Sequence, residues 1–528
     1  MNVGEATIKL LEQYGVDTVF GIPGVHSLEF CRGLNISSIR HVQVRNEQGA
    51  GFMADGYARA SGRPGVALVI SGPGVTNALT ALGQSYADSI PLLLVSADAA
   101  SYTLGKGLGC LHEVPCLTDT TAPLTAFSAT AMTAEEVPGL IGRAFSVFAS
   151  ERPRPVHIAI PIDVLEMPVE TEWQAIELPG PPAPTAKKIE RACELLGKAK
   201  QPMICVGGGA WRASESITEI AEKLGAAVIG SVSGKGIIDD SHPLSLSAGT
   251  VRGEVQEYLK RADVVLAVGT EFSEVDSFVK ALEINGKIIR IDIDPRKLND
   301  RYPAEVGIIG DAKSSTEAIA RQLGEVTPRA ETRAEIAALR KTFRDNLSDN
   351  QDRHCKALDV LREVLPAATI VMGDICQLVY SGAFAFDVAK PKLWHYPGGY
   401  CTLGGGLPGA IGAKLAMADT PVVTFAGDGG FMFTLQELLT GAELKLPIPI
   451  ILWNNNGLQQ IEDGMKLRGI EPVGVRGINP DFIALALSCG CHAITIDSAD
   501  SLKAAVKQAL SADRPTLIEV NELAPWLN

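Results

Sequence analysis

The residues of this chain best suited to chemistry sit at the ends of two apolar segments. Val422-Val423-Thr424-Phe425-Ala426 runs into Gly427-Asp428-Gly429-Gly430-Phe431, and the next apolar segment, Ile448 to Trp453, runs into Asn454-Asn455-Asn456-Gly457. Each reads as a buried parallel strand ending in a polar turn, the first leading toward a helix predicted over Leu435 to Leu444. An acidic residue at the carboxyl end of such a strand has glycines beside it that admit a ligand to the backbone. A helix N-terminus nearby attracts phosphate, so the arrangement suits a metal-diphosphate site. The second turn brings a neutral oxygen donor to the same sheet edge. The pairing of the two turns carries this reading, since Gly-Asp-Gly alone is common.

Turns of this kind need sheets to hold them. Short runs rich in Val, Ile and Leu, among them Val66 to Ile70, Leu92 to Val95, Val156 to Ile160, Met203 to Val206, Val264 to Val268 and Ile288 to Ile293, alternate with longer segments of helical period. That alternation predicts an α/β protein of doubly wound parallel sheets. A stretch from Pro168 to Pro184 is too rich in proline for either regular element and reads as a surface linker. A second, softer break lies around Gly324 to Pro328. Three α/β domains are therefore expected, roughly 1–165, 185–325 and 350–528, a division that suits a chain of 528 residues.

A formal net charge of -14 and a pI near 5.2 set the long-range field against nucleic acid and anionic membrane surfaces as partners. An anionic ligand must then be captured by local devices. Ten cysteines scattered through a chain read as having no leader peptide are expected to be reduced thiols, and Cys489-Gly490-Cys491 lacks the second ligand pair of a zinc site. No apolar run approaches the ~18 residues that cross a bilayer, so the chain is expected to be soluble and cytoplasmic.

The Gly427-Asp428-Gly429 and Asn454-Asn455 pair resembles the thiamine-diphosphate motif of acetohydroxyacid synthases, pyruvate decarboxylases and their relatives, and the similarity extends over the whole chain. The resemblance implies pyrimidine-binding, central and diphosphate-binding domains in that order. It also implies that Asp428, Asn455 and the carbonyl of Gly457 hold Mg²⁺, with Gly427, Gly429 and Gly430 beside the diphosphate. Val44-Arg45-Asn46-Glu47-Gln48-Gly49-Ala50 resembles the segment carrying the family's catalytic glutamate, which maps onto Glu47. Read alone, Glu47 would be an ordinary helix-start residue; in the family such a carboxyl hydrogen-bonds N1′ of the aminopyrimidine and favours its imino tautomer. Gly21-Ile22-Pro23-Gly24 and Ser71-Gly72-Pro73-Gly74-Val75-Thr76-Asn77 look like cofactor-proximal turns, which places Pro23, Gly24, Gly72 and Asn77 at the cofactor. Gly398-Gly399-Tyr400-Cys401-Thr402-Leu403-Gly404 resembles the loop under the bent cofactor, with Leu403 as its apolar prop and the Cys401 carbonyl facing the 4′-amino group. Because the family builds each site from two subunits, Glu47 is expected to serve the Asp428 of a neighbour in a dimer or tetramer.

These motifs leave the outcome after decarboxylation open between release of an aldehyde and condensation with a second carbonyl compound. Leu111-His112-Glu113 falls where acetohydroxyacid synthases carry Phe-Gln-Glu, and an imidazole that can deliver a proton near neutral pH favours simple decarboxylation. In detail the sequence is most similar to the 2-ketoarginine (5-guanidino-2-oxopentanoate) decarboxylases, in Gly21 to His26, Glu47 to Tyr57, Leu111 to Glu113 and Gly429 to Thr434. The resemblance implies a lyase that converts a 2-oxo acid to an aldehyde and CO2, the alternative being an acetolactate synthase-type carboligase. His26 and Leu111 are expected near the substrate, and Glu462 and Asp463 are candidates to pair with a guanidinium. In the central domain, Gly207-Gly208-Gly209 after a strand and Ile291-Asp292-Ile293-Asp294 at another are read as structural, without FAD. No strand feeds a complete Gly-x-Gly-x-x-Gly, which weighs against a nicotinamide dehydrogenase.

Overall fold

Uninterrupted Val, Ile and Leu runs are stable as strands only where both faces are covered. In the computed structural model, which describes residues 1–528, they are the buried centres of three all-parallel sheets. The first contains β1 (Thr18–Gly21), β2 (Arg40–Gln43), β3 (Gly65–Val69), β4 (Leu92–Asp98), β5 (Phe127–Thr130) and β6 (Val156–Pro161), in the order β2-β1-β3-β4-β6-β5. The second contains β7 (Pro202–Val206), β8 (Ala227–Gly230), β9 (Val264–Val268), β10 (Lys287–Asp292) and β11 (Val306–Ile309), in the order β11-β10-β9-β7-β8. The third contains β12 (Ile370–Gly373), β13 (Trp394–His395), β14 (Val422–Gly427), β15 (Pro449–Asn454), β16 (His492–Ile496) and β17 (Thr516–Asn521), in the order β13-β12-β14-β15-β17-β16.

Counted from its own first strand, the third sheet repeats the order of the first, although the two sequences show no close repeat. In both, the chain leaves the first strand for one edge and returns on its other side. That reversal opens a crevice beyond the strand ends between β1 and β3 and between β12 and β14, the place where open α/β sheets bind ligands. Residues 169–185 contain no helix or strand, in keeping with a run of prolines that cannot supply ladder donors.

The outer domains share one hydrophobic core, which joins Phe20, Ala50 and Met53 to Met372, Leu407 and Ile411. Its seam is a direct contact between the helices Glu47–Ser61 and Gly406–Ala416. A Cβ on Gly412 would stand 1.9 Å from the Met53 carbonyl oxygen, and one on Gly56 would stand 2.2 Å from that of Gly409. Only glycine permits this approach, and it fixes the middle of the Glu47–Ser61 helix against the third domain. The central sheet has a separate core. There Gly207 lies against the turn after β9, with its missing Cβ 2.1 Å from the Gly269 carbonyl oxygen, so close backbone packing accounts for this glycine. All ten cysteines are unpaired, and no helix is long and apolar enough to cross a membrane.

Candidate active site

Register places the third-domain turns side by side. Gly373 pairs with Phe425 and Gly427 with Trp453, which sets Asp374, Asp428 and Asn455 at one edge of three adjacent strands. A short helix, Asp428–Phe431, begins at the acidic residue itself, ahead of the longer helix Glu437–Glu443. Asp428 is 2% exposed, and its Oδ2 accepts a hydrogen bond from Asn479 Nδ2 at 2.7 Å. Asn455 Oδ1 is buried without a hydrogen-bond partner. One carboxylate and a buried unsatisfied amide oxygen form a hard, weakly charged donor set. Such a set fits a magnesium ion that completes its shell with phosphate oxygens and water. Gly430 lies between Asp374 and Leu403, where a Cβ would be 3.2 Å from Asp374 Oδ1 and 3.3 Å from Leu403 Cδ2, which keeps a narrow cradle open beside Asp428.

Asp374 governs the loop that carries Leu403. Its buried carboxylate accepts from Gly404 N at 3.0 Å, Gly406 N at 3.3 Å and Ile375 N at 2.7 Å. Burial pushes the Asp374 carboxyl above the usual carboxylate range, opposed by these amides. Leu403 is left half-buried, an apolar side chain held toward the cradle. Cys401 takes a left-handed φ of 55° with its thiol donating to the Gly398 carbonyl at 2.9 Å. The loop is tied to the first domain as well, through Gly399 N to Asp88 (2.7 Å) and Thr402 Oγ1 to Gln84 (3.1 Å).

The first domain brings three turns together at the ends of β1, β3 and β4. Glu47 is the first residue of its helix, 7% exposed, and Asn77 Nδ2 donates to its Oε2 at 2.9 Å. Asn77, expected at the cofactor, is hydrogen-bonded to the glutamate. Gly72, at φ +57°, abuts His112, and Gly24 packs on Ile70 beside Pro23. The rings of His26 and His112 are 5.2 Å apart, and both Nδ1 atoms are buried without partners. Burial, with His112 nearby, holds His26 below the ordinary imidazole range. His112 itself has φ +61°, an unusual conformation for a residue with a side chain, and Glu113 shapes its loop by accepting from Gly109 N and Cys110 N. Leu111 is 58% exposed. Asp98, buried at the end of β4, accepts from Ser71 Oγ at 3.0 Å and lies near His26.

Glu462 and Asp463 separate in character. The Glu462 carboxylate is already paired with Arg476 Nε and Lys466 Nζ, each at 2.5 Å, so the chain's own guanidinium occupies the position expected for a substrate's. Asp463 accepts only from the amides of Gln459 (2.6 Å) and Gln377 (3.3 Å) and keeps an uncompensated charge. Asp374, Asn479 and Glu437 were not evident from the sequence. Asp374 ends an apolar run as Asp428 does and could have been found on that ground. Glu437, fully buried, accepts from Arg45 N at 3.1 Å just ahead of the Glu47 helix, a contact that no local pattern announces.

A doubly wound pair of outer domains with identical strand order, an acidic strand edge that fits a metal ion on one and a buried glutamate on the other point to the thiamine-diphosphate enzymes. The chain belongs to that family. Residues 1–119 match the thiamine pyrophosphate enzyme N-terminal TPP binding domain, 189–319 the central domain and 374–520 the C-terminal TPP binding domain. Among relatives, it is 48% identical to "Probable 2-ketoarginine decarboxylase AruI" of Pseudomonas aeruginosa, over 98% of this chain and 94% of that protein. It is 32% identical to the acetolactate synthase large subunit of Corynebacterium glutamicum, over 98% of this chain and 86% of that protein. A chloroplastic acetolactate synthase of Arabidopsis thaliana is 30% identical over 97% and 80%. The protein is a thiamine-diphosphate-dependent enzyme of the decarboxylase or acetolactate synthase-like kind.

Proposed function

We propose that the enzyme decarboxylates a 2-oxo acid with a cationic side chain, of the 2-ketoarginine type, to an aldehyde and CO2. The observation that carries this reading is the pair His26 and His112, two imidazoles with unpartnered Nδ1 atoms beside the half-site of Glu47. When bound, thiamine diphosphate supplies the nucleophilic carbon that adds to the 2-oxo carbonyl and takes up the electron pair left by departing CO2. Glu47, steadied by Asn77, holds a proton at N1′ of the pyrimidine. Leu403 props the cofactor, while Asp428, Asn455 and the Gly457 carbonyl hold Mg²⁺ against its diphosphate. His112 then delivers a proton to the former carbonyl carbon, which ends the reaction at the aldehyde. Asp463, on the helix after the Asn455 turn, attracts the distal guanidinium. Similarity to the Pseudomonas protein over nearly the whole chain favours this substrate class over the carboligation of the acetolactate synthases.

The active site is shared between two subunits of a homo-oligomer. Within one chain no hydrogen bond or ion pair joins Glu47 to Asp428, Asn455 or Asp374. Large apolar side chains are exposed beside both half-sites: Val25 (72%) and Leu28 (56%) near His26, and Phe433 (53%) and Met432 (41%) after Asp428. Patches of this kind mark contact surfaces. Ten unpaired cysteines suit a reducing cytoplasm. The test is product analysis by NMR after incubation with thiamine diphosphate, Mg²⁺ and either 2-ketoarginine or pyruvate. Aldehyde and CO2 from 2-ketoarginine are expected, and acetolactate from pyruvate would reject the reading. Mixing the inactive variants Glu47→Gln and Asp428→Asn should restore activity, because a mixed dimer retains one intact shared site; no recovery would reject sharing.

A further inference from the structure

We infer that Asn479 and Arg476 are positioning residues for the magnesium centre, reaching it from a segment that crosses the Asn455–Gly457 turn; this rests on the metal assignment proposed above. Asp428 offers two oxygens. Oδ2 accepts from Asn479 Nδ2 at 2.7 Å, and no group of the chain donates to Oδ1. The carboxylate is thereby kept from rotating about its last bond, with one oxygen anchored and the other presented to the cradle. Magnesium demands near-ideal octahedral geometry, so a ligand fixed in this way matters more to it than to a tolerant cation. Asn479 Nδ2 also lies 3.3 Å from Asn454 Oδ1, which itself accepts from Asn456 N at 3.0 Å, so one amide steadies both strand ends.

Arg476 clamps the other ligand turn. Its Nη1 donates to the carbonyls of Asn455 (2.6 Å) and Asn456 (3.1 Å), where Asn456 is held at φ +58°. Its Nε pairs with Glu462 at 2.5 Å, which gives that buried carboxylate a role in supporting the turn. The segment is seated directly on the metal loop. The Val475 carbonyl accepts from Leu458 N at 2.9 Å, and a Cβ on Gly457 would fall 2.5 Å from that oxygen. An alternative, in which the Asn479 amide merely fills the cation's place, predicts that it would also satisfy Asn455 Oδ1. That oxygen has no partner.

The two roles differ in sign. Outer-shell hydrogen bonds to metal ligands are worth about 10–100-fold in metal affinity. Calorimetric titration of Mg²⁺ into the full-length protein with saturating thiamine diphosphate should show binding weakened on that scale in Asn479→Ala, with kcat recovered to within a few fold at saturating metal. Arg476→Met, at a half-exposed side chain whose loss leaves the core intact, should weaken binding in the same direction and covers the case of an unfolded Asn479 variant. Unchanged or tighter metal binding in the folded variants overturns the inference. Asp428→Asn is run alongside: if it too leaves metal affinity unchanged, the metal assignment itself fails and the inference falls with it.

Discussion

Replacing Asn77 tests whether Glu47 works only when it is oriented. The Asn77 amide donates to Glu47 Oε2 at 2.9 Å, and Glu47 is 7% exposed, so water cannot fully replace a lost donor. A hydrogen bond to a charged group contributes about 1.5–3 kcal/mol. If the oriented carboxylate is needed throughout the reaction, its loss in Asn77→Ala lowers kcat about 10–100-fold, at roughly 1.4 kcal/mol per tenfold. KM should change little, because Asn77 is not placed against the substrate. Asn77→Asp is nearly isosteric but sets a second carboxylate beside the first, a repulsion of about 5 kcal/mol at ~3 Å and an effective dielectric constant near 20. One shared proton relieves it and takes the glutamate out of service. The aspartate variant should therefore be slower than the alanine variant. The assay is initial-rate CO2 release at saturating cofactor, with thermal melts and thiamine diphosphate affinity as controls for folding. An Asn77→Asp enzyme that turns over at the wild-type rate would refute the orienting role.

Other consequences follow from the same geometry. Asp463→Asn should raise KM for 2-ketoarginine about 10–100-fold through loss of a charge-assisted pair, and leave KM for an uncharged 2-oxo acid unchanged; equal effects on both would remove Asp463 from the substrate site. His112→Gln should slow aldehyde release about 100-fold or more, the usual range for a lost general acid, and NMR with an added aldehyde acceptor should detect carboligation product in its place. His157 is buried against the hydroxyls of Ser96 and Thr121, and burial depresses it from the ordinary imidazole value to about 3. The folded state therefore favours the neutral ring, a stabilisation present above the unfolded-state value near ~6.5 and lost as pH falls toward 3, by up to about 1.4 kcal/mol per pH unit. The melting temperature of wild type should fall more steeply than that of His157→Gln between pH 6 and pH 4. Gly412→Ala should destabilise despite a helix-propensity gain of about 1 kcal/mol, because its Cβ meets the Met53 carbonyl at 1.9 Å. Gly139→Ala, on an exposed helix face with nothing within 4 Å, should not.

Much of the site was legible in the residues. Asp428 and Asn455 stand at strand-helix junctions whose periodicity is local, and a turn at a strand's carboxyl end needs only that strand and the next helix to be recognised, whereas the role expected of Glu47 came from the family resemblance alone. The three-domain α/β reading had the same basis, because an apolar run buried on both faces announces its own environment. What remained hidden depends on contacts between residues far apart in the chain. Glu462 and Asp463 are neighbours with the same charge; Lys466, one helical turn on, reaches only Glu462, and no spacing shows that Arg476, from a segment with no regular element, pairs with Glu462 as well and leaves Asp463 without a cation. The glycines of 56, 409 and 412 look like weak points in helices until those helices are seen to touch. Asn479 is one asparagine among several until it lies 2.7 Å from Asp428. The sequence by itself determined which strands form, since these follow from short-range patterns, and the family resemblance supplied the chemistry expected at their ends. Only the tertiary structure decided which charges are already spent and which oxygens remain free, because partners brought together by topology leave no spacing to read.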